Sequence, residues 1–428
     1  MAVAQSLGEV HVRNKGWQVT LAAMGINLAL GVLYSWSMVS KAIPSEWDWR
    51  EVDKSWPYSV ACLVFSLVMV PAGRMQDRAG PRLTATIGGL LVGAGMMLAS
   101  LTTSPLGYML GFGLLAGAGI GFGYASATPP AVKWFPPART GLIAGLVVSG
   151  FGLASVYAAP LTEWLTTTKY LLPPQWYGVP KAMLVLGACF TVVVTVLAQF
   201  LVPPPAGYVP AVSASAAARP AARKPVDYSP MAMLGTWQFY VLWFMYACGA
   251  GAGLMVISKL APLAESEAGL KLGFVLVAAL AVGNGAGRVI AGVVSDRIGR
   301  LPTLFGCFII QAGLMLALTT LTPGQWLADM VPLAIVSALI GANYGANLAV
   351  FPSITKDYYG LKNFGMNYGL VFTSWGVGGF VLALLAGSIK DTYGNYVPAC
   401  YIAAGLLIAA AVATMTVRRP IGSDVSPQ

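Results

Sequence analysis

One arginine carries the most specific chemistry in this chain. The run from Leu272 to Val294, LGFVLVAALAVGNGAGRVIAGVV, is apolar along its length and holds a single formal charge, on Arg288. A cation at the centre of a bilayer costs at least ~2.5–3.5 kcal/mol, so such a residue ordinarily marks a pathway or a binding site. No Asp or Glu lies in that run to neutralise it, which leaves the position to an anion from outside. A carboxylate is the economical choice, because a planar guanidinium pairs with it through two parallel hydrogen bonds. Asn284 stands one helical turn before Arg288, on the same face. Its amide either orients the guanidinium and a substrate hydroxyl, or makes a plain interhelical bond. The competing account of Arg288 is that it snorkels to the interface, about four to six residues away.

The elements that must hold these residues are membrane helices. Of 428 residues, 57% are hydrophobic and 9% charged, whereas a soluble domain carries about 25% charged residues. Twelve apolar segments can be drawn, at 17–40, 57–75, 83–102, 106–129, 141–161, 181–202, 237–260, 271–294, 301–321, 330–351, 364–389 and 396–417. Each is near the ~20 residues that a bilayer requires. The stretch 203–236 contains PPP and ASAAARPAARKP, shows little periodicity and reads as a flexible linker. It divides the chain into an N-terminal half, 1–202, and a C-terminal half, 237–428. No signal peptide is expected before the first apolar run, which Arg13 and Lys15 merely flank. All five cysteines lie in apolar runs without a CxxC, and His11 is the only histidine. Neither a metal site, a disulfide framework nor a cofactor is expected.

Charge placement gives an orientation. With the N-terminus in the cytoplasm, sixteen Lys and Arg residues fall on that side and eight on the other, and Arg288 within the bilayer completes the 25. The positive-inside rule then predicts cytoplasmic termini and a cytoplasmic linker. The net charge of +10 is a topology signal and does not argue for nucleic acid. Trp47, Trp49 and Trp56 fall in the first external loop and are expected in an aromatic belt.

The halves repeat each other. Gly73-Arg-Met-Gln-Asp77-Arg78-Ala-Gly80 and Gly292-Val-Val-Ser-Asp296-Arg297-Ile-Gly299 both fit G-x-x-x-D-R-x-G, at a spacing of 219. Trp134-Phe-Pro136 and Val350-Phe-Pro352 form a second echo at 216. The first Gly is expected to allow close helix approach, the Asp to accept bonds from a neighbouring helix N-terminus, and the Arg to hold the loop inside. Two six-helix repeats are the layout of major facilitator transporters, and the chain resembles that superfamily over nearly its whole length. Within it, the sequence is similar to the oxalate/formate antiporter and monocarboxylate transporter branch. The resemblance rests on Gly31-Val-Leu-Tyr-Ser-Trp36, Arg139-Thr-Gly-Leu142, Met233-Leu-Gly-Thr-Trp-Gln-Phe239, Ser295-Asp-Arg-Ile-Gly-Arg300, Phe351-Pro-Ser353 and Asn367-Tyr-Gly369.

The resemblance implies an all-α fold of twelve transmembrane helices in two pseudo-symmetric halves, with a substrate-binding Arg at Arg288. It further implies aromatic or hydroxyl site positions at Tyr34, Tyr124 and Tyr344. Leu28, Trp36, Phe151, Asn343 and Trp375 complete the expected wall, and each of these aromatics also has a plain packing account. The departures are informative. Similar oxalate carriers have a lysine where this chain has Trp375. Monocarboxylate carriers of animal type have a lysine at the position of Met38 and an Asp at that of Asn284. Their motif before the first helix survives only as Gly16-Trp17. Two cations suit a dianion, and this chain offers one, so the match is to a monocarboxylate such as lactate, pyruvate, glycolate or acetate.

Small residues give several helices smooth faces, among them Gly111 to Gly123 on the fourth and Gly341 and Gly345 on the tenth, suited either to sliding or to static packing. The expected mechanism is alternating access. No Asp or Glu falls within the twelve spans drawn above, so the usual intramembrane proton carrier is missing. Proton symport is favoured by analogy, while carboxylate exchange needs no proton site, and a non-transporting receptor would bind the same anion. A membrane enzyme lacks its acid/base cluster, and a cation or drug exporter its intramembrane acid. The expected partners are a small monocarboxylate, a proton and the lipid bilayer, without nucleic acid, for a monomer in a bacterial cytoplasmic membrane.

Overall fold

The computed structural model describes residues 14–136, 139–169, 173, 177–205, 208, 227–360 and 362–420. Twelve helices long and apolar enough to cross a membrane run through them. In chain order they are α1 (Gly16–Lys41), α2 (Glu51–Ala79), α3 (Pro81–Ser100), α4 (Pro105–Val132), α5 (Thr140–Thr167) and α6 (Val179–Ala198). The second six are α7 (Trp237–Ala268), α8 (Gly273–Ile298), α9 (Arg300–Leu318), α10 (Met330–Tyr359), α11 (Phe364–Tyr393) and α12 (Val397–Thr416). The number and order of spans agree with the hydropathy reading, but the helices reach further. α2 starts at Glu51, α7 runs on to Ala268 and α11 to Tyr393. Backbone hydrogen bonding continues past the apolar stretch into the polar interface, so Glu51, Glu265, Glu267 and Asp391 sit in the end turns of spanning helices. Most of the expected linker, 206–207 and 209–226, lies outside the described residues.

The repeated loop has a backbone reason in both halves. Gly80 (φ 89°, ψ 161°) and Gly299 (φ 98°, ψ 159°) end α2 and α8 in one and the same conformation, which an L side chain resists. Pro81 or Arg300 then starts the next helix immediately. The first glycine of each motif does not act as expected. Nothing lies within 4 Å of the place a Cβ would occupy on Gly73 or Gly292, so neither permits a close approach here.

Close approach happens instead where α8 meets α10. A Cβ on Gly283 or Gly287 would run into the carbonyl groups of Ala338 and Ala342, and one on Gly341 or Gly345 into those of Leu280 and Asn284. Small residues let two backbones touch in lipid, where dispersion and packing replace the hydrophobic effect. This contact fixes the rotation of α8, and with it the direction of Arg288. Two helix pairs, α2 with α11 and α5 with α8, form most of the seam between the halves, and α1 meets α7 across it as well. At one end of the molecule Trp49 is buried, and its Nε1 donates to the Thr103 carbonyl oxygen at 2.8 Å. Trp47 and Trp49 also pack on Tyr108, so these two rings clamp the loop to α4 rather than form a lipid belt.

Gly287→Ala should strain the α8–α10 contact and cost about 1–3 kcal/mol, the range for overpacking, whereas Gly73→Ala and Gly292→Ala should leave stability within about 0.5 kcal/mol. Thermal unfolding of the three variants in detergent measures the contrast.

Candidate functional site: a buried guanidinium between the halves

Arg288 lies on α8, its side chain turned into the seam, with 8% of the residue exposed. Nε donates to Asn284 Oδ1 at 3.1 Å, and Nη1 to the Val148 carbonyl oxygen of α5 at 2.8 Å. The guanidinium rests on Gly152, where a Cβ would stand 3.3 Å from Nη2 and 3.4 Å from Cζ. A side chain at 152 would push it away, so the glycine gives the plane a flat bed. Snorkelling is therefore not what this side chain does. Among the described residues Arg288 forms no ion pair, and its bonds to Asn284 and Val148, with the Tyr124 hydroxyl also at hydrogen-bonding reach, leave some of the five N–H donors of a guanidinium unspent. Asn284 Nδ2 is buried beside it without a partner. The arrangement is a cation held by neutral dipoles, with donors to spare.

Aromatic rings from both halves close around it. Tyr34 sits in a tight 3₁₀ turn, Gly31–Ser35, that interrupts α1. Gly31 creates room for this, since a Cβ there would lie 2.5 Å from the Phe151 carbonyl oxygen. The hydroxyls of Tyr34 and Tyr344 meet at 2.5 Å, joining α1 to α10 across the seam, and Trp375 Nε1 donates to the Tyr344 hydroxyl at 2.8 Å. Tyr34 meets Phe151 edge-on at 4.9 Å, and Tyr124 meets the same ring at 5.4 Å. The hydroxyls of Tyr34, Tyr124 and Tyr344 are all within electrostatic reach of Arg288.

Of the residues singled out in the sequence, Arg288, Asn284, Tyr34, Tyr124, Phe151, Tyr344 and Trp375 thus come together. Asn343 and Leu28 are not joined to them by any described hydrogen bond or ring contact. Asn343 Nδ2 is spent on the Leu339 carbonyl of its own helix, and Leu28 engages Tyr157 through its carbonyl oxygen. Sequence reasoning missed Phe65 and Phe372. Phe65 packs on Tyr124 and Trp375, and Phe372 stacks on Trp375 at 5.1 Å. The i, i+3 spacing of Phe372 and Trp375 on one helix face was an available signal; Phe65 had none.

The loop motif stands apart from this cluster. Asp77, Arg78 and Arg297 are exposed, and among the described residues Asp77 forms no ion pair and caps no helix. Asp296 instead pairs with Arg300 at 2.7 Å, and Arg300 also reaches Asp357 at 3.2 Å. The expected capping of a neighbouring helix occurs at the opposite end of the molecule. There Asp391 of α11 accepts from the Glu51 and Val52 amides of α2 at 2.8 and 2.9 Å. Lys259 and Tyr396 bind the Glu51 carboxylate, and Lys41 pairs with Glu265 at 3.5 Å. Among the described residues every ion pair between the halves is at this Glu51 face.

Similar proteins were found at family level and among solved structures. A bacterial homologue of the human lysosomal transporter Spinster, solved inward-facing and occupied, superposes with a TM-score of 0.67 at 15% identity, over 95% of this chain and 97% of that one. The oxalate:formate antiporter of Oxalobacter formigenes is 26% identical over 95% of this chain and 92% of its own length. Mouse monocarboxylate transporter 11 is 26% identical over 95% and 88%, and the Escherichia coli MFS-type transporter YhjX 25% identical over 85% of each. The family model described as Major Facilitator Superfamily matches residues 17–331 and 263–427, and with twelve spanning helices in two six-helix halves the chain belongs to that superfamily.

Proposed function

We propose that this transporter carries small monocarboxylates, of the lactate or pyruvate kind, through the seam between its halves, with the carboxylate paired to Arg288. One observation carries the reading: a buried guanidinium with no protein anion and unspent N–H donors. A single carboxylate satisfies such a group, whereas a dianion leaves a second charge in the low-dielectric site. Trp375, Phe151 and Tyr124 supply apolar walls that strengthen the polar contacts by excluding water, and the unpartnered Asn284 amide is a donor for a 2-hydroxyl or 2-keto oxygen. Similarity to the oxalate:formate antiporter and to monocarboxylate transporter 11 agrees with a carboxylate cargo.

Movement follows from shared ownership of the site. α5 and α1 of one half and α8 and α10 of the other touch the same guanidinium and the same hydroxyl pair, so rocking the halves exposes the anion first to one face and then to the other. By the placement of Lys and Arg, both termini face the cytoplasm of a bacterial cell, and the carrier works as a monomer. Proton symport is the coupling we favour, with the proton and the carboxylate loading together. Exchange of one carboxylate for another is the second reading. It is favoured by the lack of any described Asp or Glu hydrogen-bonded to Arg288 or its aromatic wall.

Arg288→Ala should lower lactate uptake into proteoliposomes by about 100-fold, and Arg288→Lys by about tenfold, as one or two charge-assisted bonds are lost. Uptake by Arg288→Ala equal to that of the unaltered protein would remove the assignment. Acetate, pyruvate and glycolate should compete with labelled lactate, and oxalate only weakly. An inward proton gradient should raise lactate accumulation if transport is symport. Uptake indifferent to the gradient but stimulated by internal carboxylate would establish exchange instead.

A further inference from the structure

The cation–carboxylate cluster at the Glu51 face is built unlike an ordinary surface ion pair. Lys259 of α7 is 2% exposed, deep enough that its charge needs a partner. Its Nζ donates to the Glu51 carbonyl oxygen at 3.1 Å and lies 3.5 Å from Glu51 Oε2. The Tyr396 hydroxyl donates to the same Oε2 at 3.1 Å, while Lys54 holds the other oxygen, Oε1, at 2.8 Å. Lys259 and Tyr396 both belong to the C-terminal half, and Glu51 and Lys54 to the N-terminal half. When the halves part at this face, Glu51 keeps Lys54, on its own helix, and leaves with it. Lys259 and Tyr396 then lose the carboxylate that satisfies both. The stem of Lys259 and the ring of Tyr396 line a small apolar cleft with Met255, Leu263, Leu318 and Ala399. Two donors beside an apolar cleft are what a short-chain carboxylate requires. Of the other charges nearby, Lys390, over the Tyr396 ring at 5.0 Å, pairs with Glu267, and Asp391 of the same half is held by the Glu51 and Val52 amides.

We propose that Lys259 and Tyr396 form a second carboxylate site at the mouth of the path, and that Glu51 occupies it as the chain's own stand-in while this face is shut. An arriving monocarboxylate takes the place of the Glu51 carboxylate, keeps Lys259 neutralised, and so lets the halves separate before the anion moves on to Arg288. The inference rests on the carboxylate reading above and adds a binding step to it.

Cys62 provides the readout. It is fully buried on α2, facing Gly379 of α11 in the seam, so a charged thiol reagent reaches it only when the seam opens. In the full chain with Cys189, Cys248, Cys307 and Cys400 changed to Ala, Glu51→Gln should speed Cys62 labelling by about tenfold, the worth of one charge-assisted bond. Lactate, against chloride at equal ionic strength, should speed Cys62 labelling further in Glu51→Gln but not in Glu51→Gln combined with Lys259→Gln. Acceleration in both or in neither would overturn the proposal, as would a Glu51→Gln variant that labels no faster. Adding Arg288→Gln to Glu51→Gln should abolish uptake yet leave the acceleration, which separates failure of this site from failure of the Arg288 reading. In the native-cysteine protein, Tyr396→Phe and Lys259→Gln should each raise the KM for uptake from this face, the latter by about tenfold, while Glu51→Gln lowers it. A latch without a ligand would move all three the same way.

Discussion

A positive charge taken out of water and given no counter-charge governs this molecule. The guanidinium of Arg288 is solvated by a helix carbonyl and a side-chain amide, dipoles that reduce the desolvation penalty without cancelling the charge. Removing water would also strengthen any pairing with an anion, because screening is weak in such a site. The same argument explains the neighbourhood. Glycine at 152 lets the plane lie flat, glycines at 283 and 287 let α8 press against α10, and the rings of Tyr34, Phe151 and Trp375 keep solvent out. Each feature makes the cation more exposed electrostatically while keeping it buried physically.

The two halves repeat in sequence and in the turn conformation at Gly80 and Gly299, yet they do not repeat in their electrostatics. Arg300 ties Asp296 and Asp357 together within the second half, and among the described residues Asp77 in the first half has no such partner. All described ion pairs that cross the seam gather at the opposite face, where Asp391 caps α2 and Glu51 satisfies Lys259. A helix amide capped by a carboxylate from the other half is a bond that rigid-body rotation must break, since cap geometry fails within an ångström or so. This seam is joined at the Glu51 face by charges, at its centre by the Tyr34–Tyr344 hydroxyl pair, and towards the Asp77 face by neutral contacts.

Most of the fold was legible in the chain alone, because lipid forces each span to satisfy its own backbone and so writes it as a long apolar run. Twelve runs, a repeated turn that needs glycine, and an arginine without an acid are local facts. Helix ends were less legible, since hydropathy stops where apolar side chains stop and hydrogen bonding does not. For that reason hydropathy leaves Glu51 outside the second span and Lys259 at the very end of the seventh, although they face each other across the seam.

The sequence by itself determined that an unpaired guanidinium had to be kept in a low-dielectric place, on a helix face shared with Asn284. Only the tertiary structure decided that this place is the seam, that Val148 and Gly152 of the other half form its floor, and that Phe65 and Phe372 belong to its wall while Asn343 and Leu28 spend their hydrogen bonds elsewhere. The physical reason is separation along the chain. Spacing of three or four residues fixes which side chains share a helix face, but which faces meet is set by where small residues allow two backbones to touch.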